Sequence, residues 1–474
     1  MAVTLYKTLI RNDLVSLPKP SSVGSTKKTR YRRVIIGMVR ANISSNFLDL
    51  YLYRALKNNG IGVKVLLCDG SIFPCDAIAG DSNIFNYRCL ECKATQQHLA
   101  EVIEAPDIIR PKRLQSVTTK QPNINAIASA RRFDKSESNY DERIAIKYQM
   151  TYDSIKNRLH AERHVDLVVM SHGMYASWGA IREYCEENAI DYITWGRSYF
   201  EKMVAVVKNS TINEGISQQY ADLASEHPEE LRRLVRSIDA RISNRRASRD
   251  TVDYYAYLKD DTETPDPVAH AIRSHPNKVA AVFLSIPWDG TVYGANGEFR
   301  GQREFIRQIV LNARENPQIL YVFRAHPMEH KENEKAADQI RAMSGQQLKN
   351  VIVIDAHSKL TSYELMTLVD LNIVYSGTLA LEIAHAGLPL LVCGKNLTSN
   401  FPGIRTISTH DELKAIWKTD RSTFIPRNVD ILFKNLSKVL YVDDLSNSNG
   451  FDITSFNENS QLTHRIMDDL IYEL

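Results

Sequence analysis

No stretch of the 474 residues approaches the run of about 20 apolar residues that spans a bilayer, and the N-terminus has no continuous apolar signal core. The cytoplasm is the compartment these absences lead us to expect. Neither sign of charge is in excess. Lys+Arg 59 stand against Asp+Glu 56, a net +3, which gives no footing for nucleic acid as a partner. The basic run KKTRYRR (27–33) reads either as a solvated tail before the first strand or as a peripheral contact with the anionic inner face of a membrane. Cysteine is scarce, and six in a chain of this length make no disulfide scaffold. A glycine-rich loop is missing where a diphosphate would call for one: between Pro327 and Ser376, Gly345 is the only glycine.

The composition, 43% apolar and 24% charged, is that of a globular protein, and the length suggests two or three domains. Four of the cysteines, Cys68, Cys75, Cys89 and Cys92, cluster and end in Cys-x-x-Cys. Four thiolates can close a tetrahedral structural zinc site, and a two-residue gap is ligand spacing. The six-residue gap between Cys68 and Cys75 is less regular, and the alternative is reduced, partly buried cysteines.

Along the chain, RRVIIGMV (32–39) reads as a strand, FLDLYLYRALKNNG as an amphipathic helix closed by Gly60, and VKVLLCDG (63–70) as the next strand, a βαβ opening. Residues 71–130 show little periodicity and read as an irregular insertion. A charged helix (140–162), the strand VDLVVMSHG, the helix SWGAIREYCEENA and the strand IDYITWG restore the alternation. A polar, helical region (200–258) and the Pro-rich acidic cluster DDTETPDP (260–267) follow, the latter a linker candidate. Five apolar runs then alternate with helices: KVAAVFLSI, QILYVFRAHP, NVIVIDAHS, LNIVYSG and LPLLVCG. The expected fold is α/β, two Rossmann-like doubly wound domains facing an interdomain cleft. The first would cover 1–265, and the second, nucleotide-binding, 266–474, ending in the helix THRIMDDLIYEL packed back on the first.

In such sheets ligands sit beyond the carboxyl ends of the strands, where this sequence keeps its unusual polar residues. Ser376, Gly377 and Thr378 separate a strand from a helix that carries Glu382 one turn in. A helix start offers free N–H groups, and glycine lets a phosphate approach. Glu382 would repel phosphate, so a ribose diol is its natural partner. The competing reading is N-capping with a capping-box glutamate, but the Thr–Glu spacing is four rather than three. Upstream, FRAHPMEH (323–330) ends a strand with Arg324, His326 and Pro327, placing an imidazole where a leaving phosphate can meet it. His172 and Gly173 in SHGMYASWG suit acceptor or donor contact, and Asp289 in PWDGTVYG falls at an expected interdomain edge. Each of these last has an equal reading as a turn residue.

The order HPMEH, then HSKLTSYELMTLVDLNIVYSGTLALEIAHAGLPLLVCG, resembles the C-terminal half of bacterial capsule-polysaccharide glycosyltransferases of GT-B architecture, including those that use CMP-linked Kdo or sialic acid, over residues 278–397. The resemblance implies that His326-Pro327 and the Ser376/Thr378 turn bind the nucleotide phosphate, with Glu382 near the nucleoside and Gly387 and Pro389 matching the following Gly-x-Pro. In the related sialyltransferases an acidic pair before a glycine supplies the base. The comparable stretch here is Cys68-Asp69-Gly70, with cysteine at the first acidic position. The expectation is a glycosyltransferase moving Kdo or a related nonulosonic acid from a CMP donor to a glycan or lipid-linked acceptor. His326 would act on the leaving group and Asp69 or Asp289 on the acceptor hydroxyl, with no cofactor required. A nucleotide-sugar 2-epimerase and a non-catalytic glycan-binding member of the fold are the alternatives.

Overall fold

Two parallel sheets grow from apolar runs buried on both faces, the pattern that helix-covered strands require. The computed structural model describes residues 30–211 except 41–42, 73, 77–86, 118, 120, 134–141 and 198–202. It also describes 236, 239–240, 243, 266–429 except 287–288, 290–295, 328, 330–334, 345–347, 397, 400 and 402, and 440–442. The chain divides into two compact units, Met1–Ile212 with Leu440–Leu474, and Asn213–Val439.

In the first unit β1 (Arg33–Met38), α1 (Ile43–Asn58) and β2 (Gly62–Leu67) form the expected βαβ opening. Next come α2 (Tyr87–Val102), β3 (Ile108–Ile109), α3 (Ile124–Phe133), α4 (Glu142–His160) and β4 (Leu167–Ser171). The series closes with α5 (Tyr175–Glu187), β5 (Asp191–Arg197) and β6 (Met203–Lys208). Residues 71–130 are therefore not an insertion. They carry the crossover helix α2 and the third strand, disguised because α2 is polar and β3 is two residues long. The expected helical stretch from 200 opens instead with β6, whose sequence MVAVVK is a strand's. Its remainder lies mostly outside the described residues, as do 260–265 of the linker and the C-terminal helix. The later part of the basic run is no loose tail: Tyr31 is buried and donates to Asp191 at 2.5 Å, and the Arg32 and Arg33 amides donate to Asp166.

In the second unit α6 (Pro267–Ser274), capped by Asp266, leads to β7 (Val279–Phe283). Then come α7 (Gln302–Glu315), β8 (Leu320–Arg324), α8 (Ala336–Ser344) and β9 (Val351–Ile354). After these lie α9 (Ser362–Leu368), β10 (Leu371–Val374), α10 (Leu379–His385), β11 (Leu390–Val392), β12 (Arg405–Thr406) and α11 (His410–Ala415). Helix α7 shows the local logic. Phe305, Ile306, Ile309, Val310 and Ala313 make its buried stripe against the sheet, while Glu304, Arg307 and Arg314 carry its charge.

Strand order defines the class. The second sheet runs β12-β11-β10-β7-β8-β9, all parallel, and the first runs β13-β6-β5-β4-β1-β2-β3, with β13 being Leu440–Val442. Numbered within its own unit, the second sheet is 3-2-1-4-5-6, the doubly wound dinucleotide-fold order, and the first keeps 3-2-1-4-5 before its antiparallel edge. The fold is thus α/β with two Rossmann-like sheets, as expected. The placing of everything from 266 onward in the second domain is corrected by β13, which pairs antiparallel with β6 and belongs to the first sheet. Among the described residues no helix is long and apolar enough to cross a membrane.

Candidate functional site

The winding of the second sheet reverses between β7 and β10, so the crossover helices on either side leave a crevice beyond the carboxyl ends of these strands. A cavity of about 240 Å³ lies there. Its wall takes residues from just past five strands: Ser285 and Asp289 after β7, Arg324, His326 and Pro327 after β8, Ser362 after β9, Ser376, Gly377, Thr378 and Glu382 after β10, and Asn396 after β11. Every site residue expected in the second domain is in this wall.

The Ser-Gly-Thr turn is built for this position. Gly377 has φ +107, a conformation that side chains disfavour. Ser376, nearly buried, meets Ser285 Oγ with its own hydroxyl at 2.9 Å and its carbonyl at 3.0 Å. Ser285 is gripped in turn by Gln302, the first residue of α7, which accepts from its N–H at 2.8 Å and donates to its carbonyl at 2.9 Å. This rigid link ties the ends of the two strands that flank the switch point. Thr378 precedes α10 but makes no capping bond, and it is exposed. The capping-box alternative is therefore set aside; in this unit the boxes are Thr361 with Glu364 and Thr409 with Glu412. Helix α10 has only seven residues, so side chains rather than a long macrodipole dominate the wall. Glu382 is fully buried on α10.

Arg324 ends β8, buried, and its Nη1 donates to the Asp355 carbonyl. Two residues on, the chain leaves the sheet at His326-Pro327, and the Glu329 N–H returns to the His326 carbonyl at 2.9 Å. Glu329 is 2% exposed, and burial pushes its carboxyl up to about 7, Asp338 and Asp355 adding to the rise against the Ala337 N–H and Lys335. The sequence reading missed Ser285, Ser362, Asn396 and Glu329. Position was the signal for Ser285 and Asn396, which follow closely on buried apolar runs, while Glu329 and Ser362 stand inside the quoted stretches HPMEH and HSKLTSYELM without being singled out.

In the first unit, His172 and Gly173 follow β4 at the switch point between β1 and β4. Gly173 has φ +68, and Tyr175, opening α5, has φ +66 although buried and non-glycine. The His172 ring lies edge-on to Trp178 at 4.6 Å, and its Nδ1 accepts from the Met174 N–H at 3.3 Å. Asp69 follows β2 and accepts from the Ser71 N–H at 3.0 Å, a local Asx turn. The four clustered cysteines do not assemble. Cys68 is buried beyond β2 with its sulfur accepting from the Gly70 N–H, Cys89 and Cys92 stand on α2, none of the four is in a disulfide, and burial raises the Cys68 and Cys89 thiols. Among the described residues no group of three or more His, Cys, Asp or Glu is placed to hold a metal ion. The zinc reading therefore finds no ligand group among the described residues, although Cys68 beyond β2 and Cys89 on α2 are near enough for one thiol's charge to raise the other.

No protein-family model matches the sequence. No curated protein matches it either. Solved structures do. KpsC of Thermosulfurimonas dismutans, described as a beta Kdo 2,4 transferase, aligns with TM-score 0.37 and 11% identity, covering 62% of this chain and 87% of that one. Its beta Kdo 2,7 transferase counterpart gives 0.35 and 11%, covering 66% and 89%. The UDP-GlcNAc 2-epimerase of Methanocaldococcus jannaschii gives 0.29 and 12%, covering 86% and 98%. The fold assignment rests on strand order and parallel register rather than on these likenesses.

Proposed function

We propose that the chain is a glycosyltransferase that holds a nucleotide-sugar donor in the cavity at the β7–β10 switch point. The observation that carries this reading is convergence. Four hydroxyl groups, an imidazole, two carboxylates and a glycine with positive φ meet in one crevice where doubly wound sheets bind nucleotides. The free Thr378 hydroxyl and the Gly377 backbone serve the donor phosphate, and Glu382 serves the ribose diol. In the reaction the bond from the sugar's anomeric carbon to the phosphate oxygen breaks while a bond to the acceptor hydroxyl forms. The hydroxyl proton passes to Asp289, and the charge left on the phosphate is met by His326. The step is proposed to need no cofactor, because donor groups of the wall take the negative charge. Asp69, held in its Asx turn, is the weaker candidate for the base.

CMP is the preferred nucleotide in this reading. The described wall has one arginine, itself engaged with a backbone carbonyl, and no lysine, which suits a single phosphate better than two. Kdo or a related nonulosonic acid is the proposed sugar, following the sequence resemblance, and a surface glycan or lipid-linked glycan is the acceptor, reached by a protein working at the inner membrane face.

Thermal shift with CMP, UDP, GDP and ADP tests the binding step, since a ligand at a hundred times its dissociation constant adds about 2.7 kcal/mol. CMP should protect best, and Thr378→Ala and Glu382→Ala should each weaken that protection. Unchanged protection in both folded variants would remove the cavity from the reading. Transfer from a UDP-hexose and none from any CMP-sugar would overturn the donor. Epimerisation of a UDP-sugar without transfer would establish the 2-epimerase instead.

A further inference from the structure

We infer that Asn396 is a specificity residue of the donor cavity, a hydrogen-bond donor to the nucleoside end of the ligand; the inference rests on the nucleotide reading above. Three observations lead to it. Asn396 lines the cavity and is 3% exposed. Its Oδ1 accepts from the Thr398 backbone N–H at 2.8 Å and from the Thr398 hydroxyl at 2.6 Å. A backbone N–H can only donate, so the atom facing it is the carbonyl oxygen and the amide orientation is settled by chemistry. The remaining atom, Nδ2, is buried and has no partner among the described residues. The amide is thus held as a donor whose hydrogens have lost water without gaining an acceptor, an arrangement that a ligand oxygen or ring nitrogen relieves.

The rest of its loop fixes this pose. The Asn396 N–H donates to Ser399 Oγ at 2.7 Å, and Ser399 Oγ donates to the Gly394 carbonyl at 2.7 Å. The side chain cannot turn over without losing both Thr398 bonds.

Position says which part of the ligand it meets. Along the sheet edge the order is β11, β10, β7, β8, β9, so Asn396 follows an outer strand of the wall and His326 follows a strand three places away. Three strand spacings of about 4.8 Å separate β11 from β8, roughly 14 Å in all, the reach of a nucleoside monophosphate lying along the edge with a hydrogen bond at each end. With the phosphate reaching from His326 across to Gly377 and Thr378 after β10, the base lies beyond it, toward β11. A neutral amide beside the Glu382 carboxylate also suits a neutral acceptor, such as a pyrimidine carbonyl, better than a phosphoryl oxygen.

Asn396→Asp keeps the Oδ1 acceptor for Thr398 while replacing the donor by a carboxylate oxygen, and Asn396→Ala removes the donor without adding charge, so the two together test this. Calorimetric binding of CMP and of inorganic phosphate should be compared in the wild type, in Asn396→Asp and in Asn396→Ala, each checked for an unchanged ligand-free melting point. The expected result for Asn396→Asp is at least a tenfold loss in CMP affinity with less than a threefold change for phosphate. If that variant proves unstable, Asn396→Ala should show the same split. Equal loss for both probes would place Asn396 at the phosphate and overturn the inference. Unchanged CMP affinity would overturn it while leaving the nucleotide reading standing. A wild-type protein that binds no nucleotide defeats both.

Discussion

His326 and Glu329 lie one short turn apart and do different work. His326 faces the cavity, so its value in the proposed reaction is realised as charge grows on the departing phosphate. His326→Ala should lower kcat by about 10²–10³ with little change in CMP affinity; a loss confined to KM in steady-state assays would make it a ground-state contact. Glu329 is buried with its carboxyl raised from 4.5 to about 7. A raised acid binds its proton more tightly when folded, so its stabilisation is complete below pH 4.5 and is lost as pH climbs through about 7. Glu329→Gln cannot lose a proton. It should therefore flatten the decline in unfolding free energy over that window by roughly 3 kcal/mol, read from urea titrations at about pH 5 and about pH 8. Parallel slopes for the two proteins would mean that the carboxyl is already solvated. Sequence reasoning reached His326 because a His-Pro pair after an apolar run is visible in one dimension. It missed Glu329 because nothing in one dimension marks a glutamate as buried; the Ala337 N–H of α8 donates to its Oε1 at 3.3 Å.

At the scale of elements, legibility followed hydrophobic pattern. The buried runs VAAVF, LYVFR and LNIV announce themselves as parallel strands, and their order along the chain made the doubly wound sheet readable. The two-residue β3 and the polar helix α2 carry almost no periodic signal, so 71–130 looked irregular although its described residues include a helix and a strand of the sheet. The cysteines there advertised a metal by spacing alone, and among the described residues they form no group placed to hold one. Junctions between elements also set tolerances. Gly394 follows β11 so closely against the end of β10 that an added Cβ would lie 2.3 Å from the Tyr375 carbonyl oxygen. Neither backbone can yield, and Gly394→Ala should cost about 1–3 kcal/mol in denaturant unfolding. It should also reduce CMP affinity, since Tyr375 immediately precedes the Ser-Gly-Thr turn. A variant of wild-type stability would show that β11 has room to retreat.

For the whole molecule, the sequence led us to expect a boundary near 260, whereas the chain divides after Ile212 and returns to the first unit at Leu440; neither junction carries a pattern of its own. Strand β13 is three residues long, follows a long stretch assigned to the other unit, and pairs with β6 from about half the chain away. Replacing it by Leu440→Gly, Tyr441→Gly and Val442→Gly should accelerate hydrogen exchange of the β6 amides and lower stability by on the order of 2 kcal/mol, with CMP binding unaltered. Unchanged exchange in β6 would make β13 dispensable. Because of this return, the second unit is threaded between two parts of the first. During synthesis, roughly 230 residues, on the order of 10–50 s at about 5–20 residues per second, must leave the ribosome after β6 before its edge is covered. The nested unit has its own complete parallel sheet and can mature during that delay, whereas β6 waits with one row of amides and carbonyls open to any other strand. Nascent chains halted before residue 440 should therefore be the forms most prone to associate.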